Sequence, residues 1–252
     1  MVVRPYQAGD RDAVRRLCCD TGFLGNPIDP VFEDRELFAD FLTRYYTDHE
    51  PESAFVLEKD GAVKGYLLGS RRRFKLGLAT LGDTLANVFK LLRRYPGYNA
   101  AGKRYVHWIL LKGWRETPPA PDNAAHFHIN ILPEARTMEK TRELFNAFFS
   151  YLVEQGENRV YGQMVTWDER RTEALFRRYG FQVLNKREIT KYRKFTEDRV
   201  FLTTCLRELD STDQDRRGSI RTRRHGIHGQ GKRKGLPGRR GTKQDQNQDQ
   251  EK

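Results

Sequence analysis

Cysteine is scarce and oddly placed. Three occur in 252 residues; Cys18 and Cys19 are neighbours, and Cys205 lies far along the chain. An odd count with an adjacent pair argues against a disulfide framework and fits a reducing compartment, so a cytoplasmic setting is expected. There is no C-x-x-C spacing and no zinc signature, so no metal centre is expected. No stretch approaches the roughly 20 apolar residues of a membrane span. Met1-Val2-Val3-Arg4-Pro5 lacks the apolar run that opens a secretory signal. Past Ser211 apolar side chains nearly vanish, leaving Ile220, Ile227 and Leu236. Such a segment buries too little surface to offset its ordering entropy, so 211–252 reads as a disordered tail.

Acidic residues are also missing where basic ones crowd. The net charge of +12 is unevenly spread. Residues 1–70 carry 8 Lys/Arg against 13 Asp/Glu, and 117–210 carry 15 against 14. Residues 71–116 carry 11 against 2, and the tail 12 against 5. The body is therefore close to neutral, and two discrete segments hold the basic excess. Any acidic partner should attach to those segments. The tail can meet a polyanion such as nucleic acid through counterion release, without sequence readout.

The remaining 1–210 is long enough for one sizeable core. Val2–Tyr6 reads as a strand, and Asp10 as the N-cap of a helix through Cys18, with Gly22 its stop. A second helix presents Leu37, Phe38, Phe41, Leu42 and Tyr45 at helical spacing. Two β-rich runs flank Asp60-Gly61, a strong hairpin signal. Residues 71–120 form a basic, aromatic insert with helical stretches around Leu81–Leu92 and Tyr105–Leu111. A strand over Ala124–Leu132, an amphipathic helix over Met138–Glu154, a strand over Arg159–Val165, a helix over Asp168–Arg178 and strands over Phe181–Ile189 and Val200–Leu206 follow.

A βαβαβ core preceded by a hairpin leaves few folds open. Three segments of the chain resemble the GNAT superfamily of N-acetyltransferases. Arg4-Pro5-Tyr6 with Gly9-Asp10-Arg11-Asp12 is similar to the family's opening strand and helix start. His126-Phe127-His128-Ile129-Asn130-Ile131-Leu132-Pro133-Glu134 is similar to its central strand and the turn into its phosphate loop. Ala174-Leu175-Phe176-Arg177-Arg178-Tyr179-Gly180-Phe181 is similar to its late helix. The resemblance implies an α/β fold: a mixed twisted sheet flanked by helices, splayed between the fourth and fifth strands, with the helical insert after the third strand. It implies acetyl-CoA as co-substrate, its pantetheine against the backbone of Asn130, Ile131 and Leu132. The pyrophosphate would lie over Arg136, Thr137, Met138, Lys140 and Thr141, where a helix N-terminus favours an anion. It implies acyl transfer to a small-molecule or protein amine by direct attack.

Two positions depart from the family. The phosphate loop usually reads Gln/Arg-x-x-Gly-x-Gly/Ala; here Arg136 keeps the first place, while Glu139 and Thr141 replace the glycines. A glutamate adds bulk and a charge that repels phosphate, which Arg136, Lys140 and Arg142 would offset. Phe176 stands where many members carry a tyrosine that protonates the leaving thiolate. These departures keep a second reading open: an inactive GNAT-fold module that binds nucleic acid or another acidic partner.

His126, His128 and Asn130 share one strand face, Phe127, Ile129 and Ile131 the other. His128 is the candidate general base, with a reference pKa of about 6.5 suited to the task; the alternative is a hydrogen-bonded structural histidine. Glu134 reads as a loop charge, Tyr45 as core, and Cys18 as a buried thiol. The insert reads as a helical lid packing its aromatics on the domain, or as a surface for an acidic partner, nucleic acid or an anionic membrane.

Overall fold

The computed structural model describes residues 1–71, 73–167 and 169–213. Among them seven strands form one mixed sheet. They are β1 (Val2–Pro5), β2 (Ala54–Lys59), β3 (Ala62–Ser70), β4 (Ala125–Ile131), β5 (Arg159–Thr166), β6 (Gln182–Glu188) and β7 (Phe201–Glu208). The spatial order is β1-β2-β3-β4-β5-β7-β6, and only β4 and β5 pair in parallel. The helices are α1 (Arg11–Asp20), α2 (Arg35–Asp48), α3 (Arg73–Arg94), α4 (Ala100–Trp108), α5 (Trp114–Glu116), α6 (Met138–Glu154) and α7 (Glu169–Arg178).

Strand alternation divides the core into two layers. Ala54, Val56, Tyr66 and Leu68 face α1 and α2. Phe55, Leu57, Leu67, Phe127 and Ile131 face α6, which answers with Leu144, Phe145, Phe148, Phe149 and Leu152. The β2–β3 hairpin turns through Asp60 and Gly61, both at positive φ (52° and 77°), as the Asp-Gly signal requires.

Several local expectations need correction. Asp10 makes no side-chain cap on α1. Its carboxylate accepts instead from Arg4 at 2.7 and 2.8 Å and from the Gln7 N–H at 2.9 Å, because a charged guanidinium is the stronger partner. On α2, Leu37, Phe38 and Tyr45 are buried, but Phe41 and Leu42 are exposed. The packed chain continues past 210 through a short turn to Asp213, which is buried beneath Arg207 and Ser150. The rest of the expected tail, 214–252, lies outside the described residues.

The insert is seated firmly on the body. Arg94 pairs with Asp34 and Glu36, and Lys90 with Asp40, tying α3 to α2. Glu116 accepts from Trp108 Nε1 and from the Thr190 N–H at 2.6 Å each, joining α5 to the β6–β7 connection. Lys191 from that connection lies 4.8 Å from the ring centroids of both Trp108 and Tyr192. The insert's aromatics divide, however: Tyr98 and Tyr105 pack inward, while Phe89 and Trp114 do not.

Candidate active site

The sheet opens between its two parallel strands. β4 and β5 share three rungs, Ala125↔Val160, His126↔Tyr161 and Phe127↔Gly162, and then separate. Neither strand ends there. β4 stays on β3 as far as Ile131, and β5 stays on β7 as far as Thr166. The gap is thus held open from both sides. At its apex the Phe127 ring lies over Gly162, where a Cβ would stand 2.4 Å from ring carbon. Glycine there lets β5 pass the ring before the strands diverge.

The ladder also settles which backbone groups meet the gap. Leu132 N–H donates to the Lys64 carbonyl at 2.9 Å, so residue 132 directs its N–H at β3. In an antiparallel ladder this alternates, so Asn130 and His128 turn their backbone toward β3 as well. Ile129 and Ile131 turn theirs toward β5, where beyond Phe127 no rung is formed. Of the residues expected to meet pantetheine by backbone, Ile131 turns its backbone groups to the gap, as Ile129 does, while Asn130 and Leu132 turn theirs to β3.

One face of the gap is polar. Tyr46 and His126 Nδ1 are hydrogen-bonded at 2.9 Å, and His126 lies 4.9 Å from Tyr161 between ring centroids. Asn130 Nδ2 donates to Tyr66 Oη at 2.8 Å, and Tyr66 shares its packed layer with Cys18. His128 sits between these pairs, edge-on to Tyr66. Burial drives its pKa down to about 4, against a small upward pull from a hydrogen bond to the Leu42 backbone. Nδ1 is buried without a hydrogen-bond partner among the described residues. The downward shift favours the neutral ring, whose bare nitrogen can accept a hydrogen bond. Tyr66 carried no signal in the sequence, and Leu42 read only as part of a helical stripe, because only the β3–β4 register and the seating of α2 bring them to His128.

The far end of β4 leads to an anion-ready turn. Thr137 caps α6, its Oγ1 accepting from the Lys140 N–H at 3.2 Å. The N–H groups of Met138 and Glu139 lie ahead of the first helical bond. Thr141 is occupied: its hydroxyl donates to the Thr137 carbonyl at 2.8 Å. Lys140 is drawn to Glu143 at 2.7 Å. Glu139 points into solvent, its side chain 78% exposed and 4.0 Å from Lys140. It does not fill the gap, and water screens its charge. Arg136 and Arg142 are exposed near the turn, and Arg178 of α7 reaches Met138 Sδ at 3.8 Å. These groups suit a polyphosphate.

Phe176 is 4% exposed and packs in the layer of Phe145 and Phe181. Tyr179 also packs inward, 5.2 Å from Phe145 between centroids. Glu134 is exposed and pairs loosely with Lys64 at 3.5 Å. Burial raises the thiols of Cys18 and Cys205 to about 12 and that of Cys19 to about 11, which leaves them inert as nucleophiles. Among the described residues there is no cluster fit to hold a metal ion.

No family model and no curated protein sequence matches the chain. Solved structures do. The crystal structure of SsHAT is 26% identical, with a TM-score of 0.56, over 82% of this chain and 97% of that one. A crystal structure described as an acetyltransferase is 16% identical with a TM-score of 0.51, over 83% of this chain and 100% of its own. A GNAT superfamily phosphinothricin acetyltransferase from Sinorhizobium meliloti, in complex with AcCoA, is 16% identical with a TM-score of 0.50, over 82% and 88%.

Proposed function

Because the chain has the fold of the GNAT-superfamily N-acetyltransferases, we propose that it moves an acetyl group from acetyl-CoA to an amine. The observation that carries this reading is the parting of β4 and β5 after three rungs, with each strand still held by its outer neighbour. That gap seats an extended thioester arm against the backbone of Ile129 and Ile131. The nucleotide end then falls at Thr137–Glu139, among Arg136, Arg142 and Arg178.

Acetyl-CoA supplies an activated thioester carbonyl. The amine nitrogen attacks the carbonyl carbon, a C–N bond forms, and the C–S bond breaks. Backbone N–H groups on the gap side of β4 stabilise the oxyanion that develops between these events. His128 is too weak a base to carry the proton through the reaction. It accepts a hydrogen bond that aims the nitrogen lone pair. The ammonium proton passes from the tetrahedral intermediate to the departing sulfur, directly or through water. Phe176 offers no acid, and a thiolate leaves well without one. The products are an amide and CoA thiol.

A second reading, a module that binds without catalysing, draws on Phe176 and on the absent loop glycines. One titration separates the two. Calorimetry of the full chain with acetyl-CoA should give micromolar binding. No heat at millimolar acetyl-CoA would end the transferase reading.

A further inference from the structure

The insert between β3 and β4 has apolar side chains on two opposite faces. On α3, Asn87 and Leu91 are buried, and Lys90 and Arg94 reach down to α2. Leu85, Val88, Phe89 and Leu92 lie on the other side of the same helix, at steps of three and four residues. All four are exposed, Phe89 by 68% and Leu92 by 67%. The helical run that follows, α4 continued through a π-helical stretch over Ile109–Gly113 into α5, repeats the pattern. Tyr105 packs on Phe32 and Phe38. Beyond it, Leu110, Leu111 and Trp114 are exposed, Trp114 by 68%. α3 is tied to α2, and Tyr105 packs on Phe32 and Phe38, so each exposed set lies on the side of its helix away from its own contacts with the body.

Cations border this apolar face. Arg93, Arg104 and Lys112 are exposed and form no ion pair among the described residues. Arg115 stacks on the Trp114 ring, 4.7 Å from its centroid. Over 71–116 the sequence has 11 Lys/Arg and 2 Asp/Glu.

We propose that this face of the insert docks on an anionic phospholipid surface. Phe89, Leu92 and Trp114 enter the boundary between head groups and acyl chains, and Arg93, Arg104 and Lys112 meet the phosphates. A bilayer answers both halves of the surface at once. Nucleic acid offers phosphate but no layer for exposed leucines. A second copy would press one strongly basic face against another. A tryptophan among leucines with a cationic rim is the composition of an interfacial helix, and no helix among the described residues is long and apolar enough to span. The docking involves no residue of the β4–β5 gap and stands whether or not the transferase reading does.

Flotation of the full chain with phosphatidylcholine vesicles, and with the same vesicles doped with phosphatidylglycerol, tests it. Binding is expected only to the anionic vesicles, weakened by salt. Brominated acyl chains should quench tryptophan emission, and Trp114→Phe should remove that quenching. The triple variant Phe89→Ser, Leu92→Ser, Trp114→Ser alters only exposed side chains. It should keep the circular dichroism and melting temperature of the parent and lose about tenfold or more in partition. Undiminished binding of that variant would assign the affinity to the basic tail and overturn the proposal. So would failure to float with either vesicle, a preference for duplex DNA over anionic vesicles, or a lipid-free dimer that the triple variant abolishes.

Discussion

The Phe127 ring covers the α-carbon of Gly162 at the last rung that β4 and β5 share. The ring is held from behind by Phe145 and Phe181, at centroid distances of 5.3 and 5.5 Å. The point at which the sheet splits thus coincides with one aromatic ring resting on one glycine.

Gly162→Ala should disturb that point directly. A Cβ 2.4 Å from the ring forces Phe127 into a filled layer, an overpacking that costs about 1–3 kcal/mol. Thermal unfolding should show a lower melting temperature. Calorimetry should show weaker acetyl-CoA binding as well, since the rung that positions Ile129 has moved. Full stability with unchanged affinity would mean that the split is set elsewhere.

Phe176→Tyr restores the side chain that many GNAT proteins carry at this place. It should not restore an acid. The ring is buried among Phe145 and Phe181, so a hydroxyl would arrive without a partner, at about 1–3 kcal/mol. Denaturant unfolding should show the loss, and acetyl-transfer turnover should not rise. A faster variant would show that the ring reaches the gap after all.

The elements of the sheet were legible because each rests on a local signal. Met138–Glu154 was readable as a helix from its apolar stripe, and the hairpin from Asp60-Gly61. Side-chain partners were less legible, since they depend on register. Nothing in the spacing of Tyr66 and Asn130 says that β3 and β4 set them side by side. Asp10 looked like a cap because Arg4 is six residues away in sequence yet adjacent in space. Glu139 looked harmful to phosphate because a string of letters does not show that its carboxylate leaves for water.

Glu139→Gly should accordingly change little. An exposed carboxylate in salt contributes well under 1 kcal/mol, so the acetyl-CoA dissociation constant should move less than about threefold. Arg136→Ala removes a cation beside the helix N-terminus and should weaken binding by about tenfold. The two titrations at fixed ionic strength check both statements. A large gain from the glycine would revive direct repulsion.

Asp213, the last residue described, is tied to the sheet and to α6. Arg207 Nη2 donates to its carboxylate at 2.6 Å, and its carbonyl accepts from Ser150 at 2.7 Å. The sequence around 213 is polar and hid this, because the partners come from β7 and α6. Asp213→Ala leaves Arg207 without its partner in a buried site, worth about 3 kcal/mol. Urea unfolding should show that loss, and removal of charges beyond 213 should not.

His128 ties the site to pH. Its folded pKa is down at about 4, from an ordinary 6.5. Above pH 6.5 the imidazole is neutral in both folded and unfolded chains and contributes no pH dependence. Below 6.5 the unfolded chain takes up a proton that the folded chain refuses until about pH 4. Stability therefore falls as pH drops through that window, by about 3 kcal/mol in full. His128→Asn should flatten this limb, so the melting temperature of wild type should fall relative to that of the variant as pH drops from 6.5 to 4. The same shift bears on turnover. A base with a pKa of 6.5 would halve the rate near that pH, whereas a ring neutral down to about 4 imposes no such limb. Loss of its lone pair should still slow transfer by about tenfold through lost orientation. A rate profile that bends at pH 6.5 in the wild type and not in His128→Asn would make His128 the proton carrier and remove the direct path from nitrogen to sulfur.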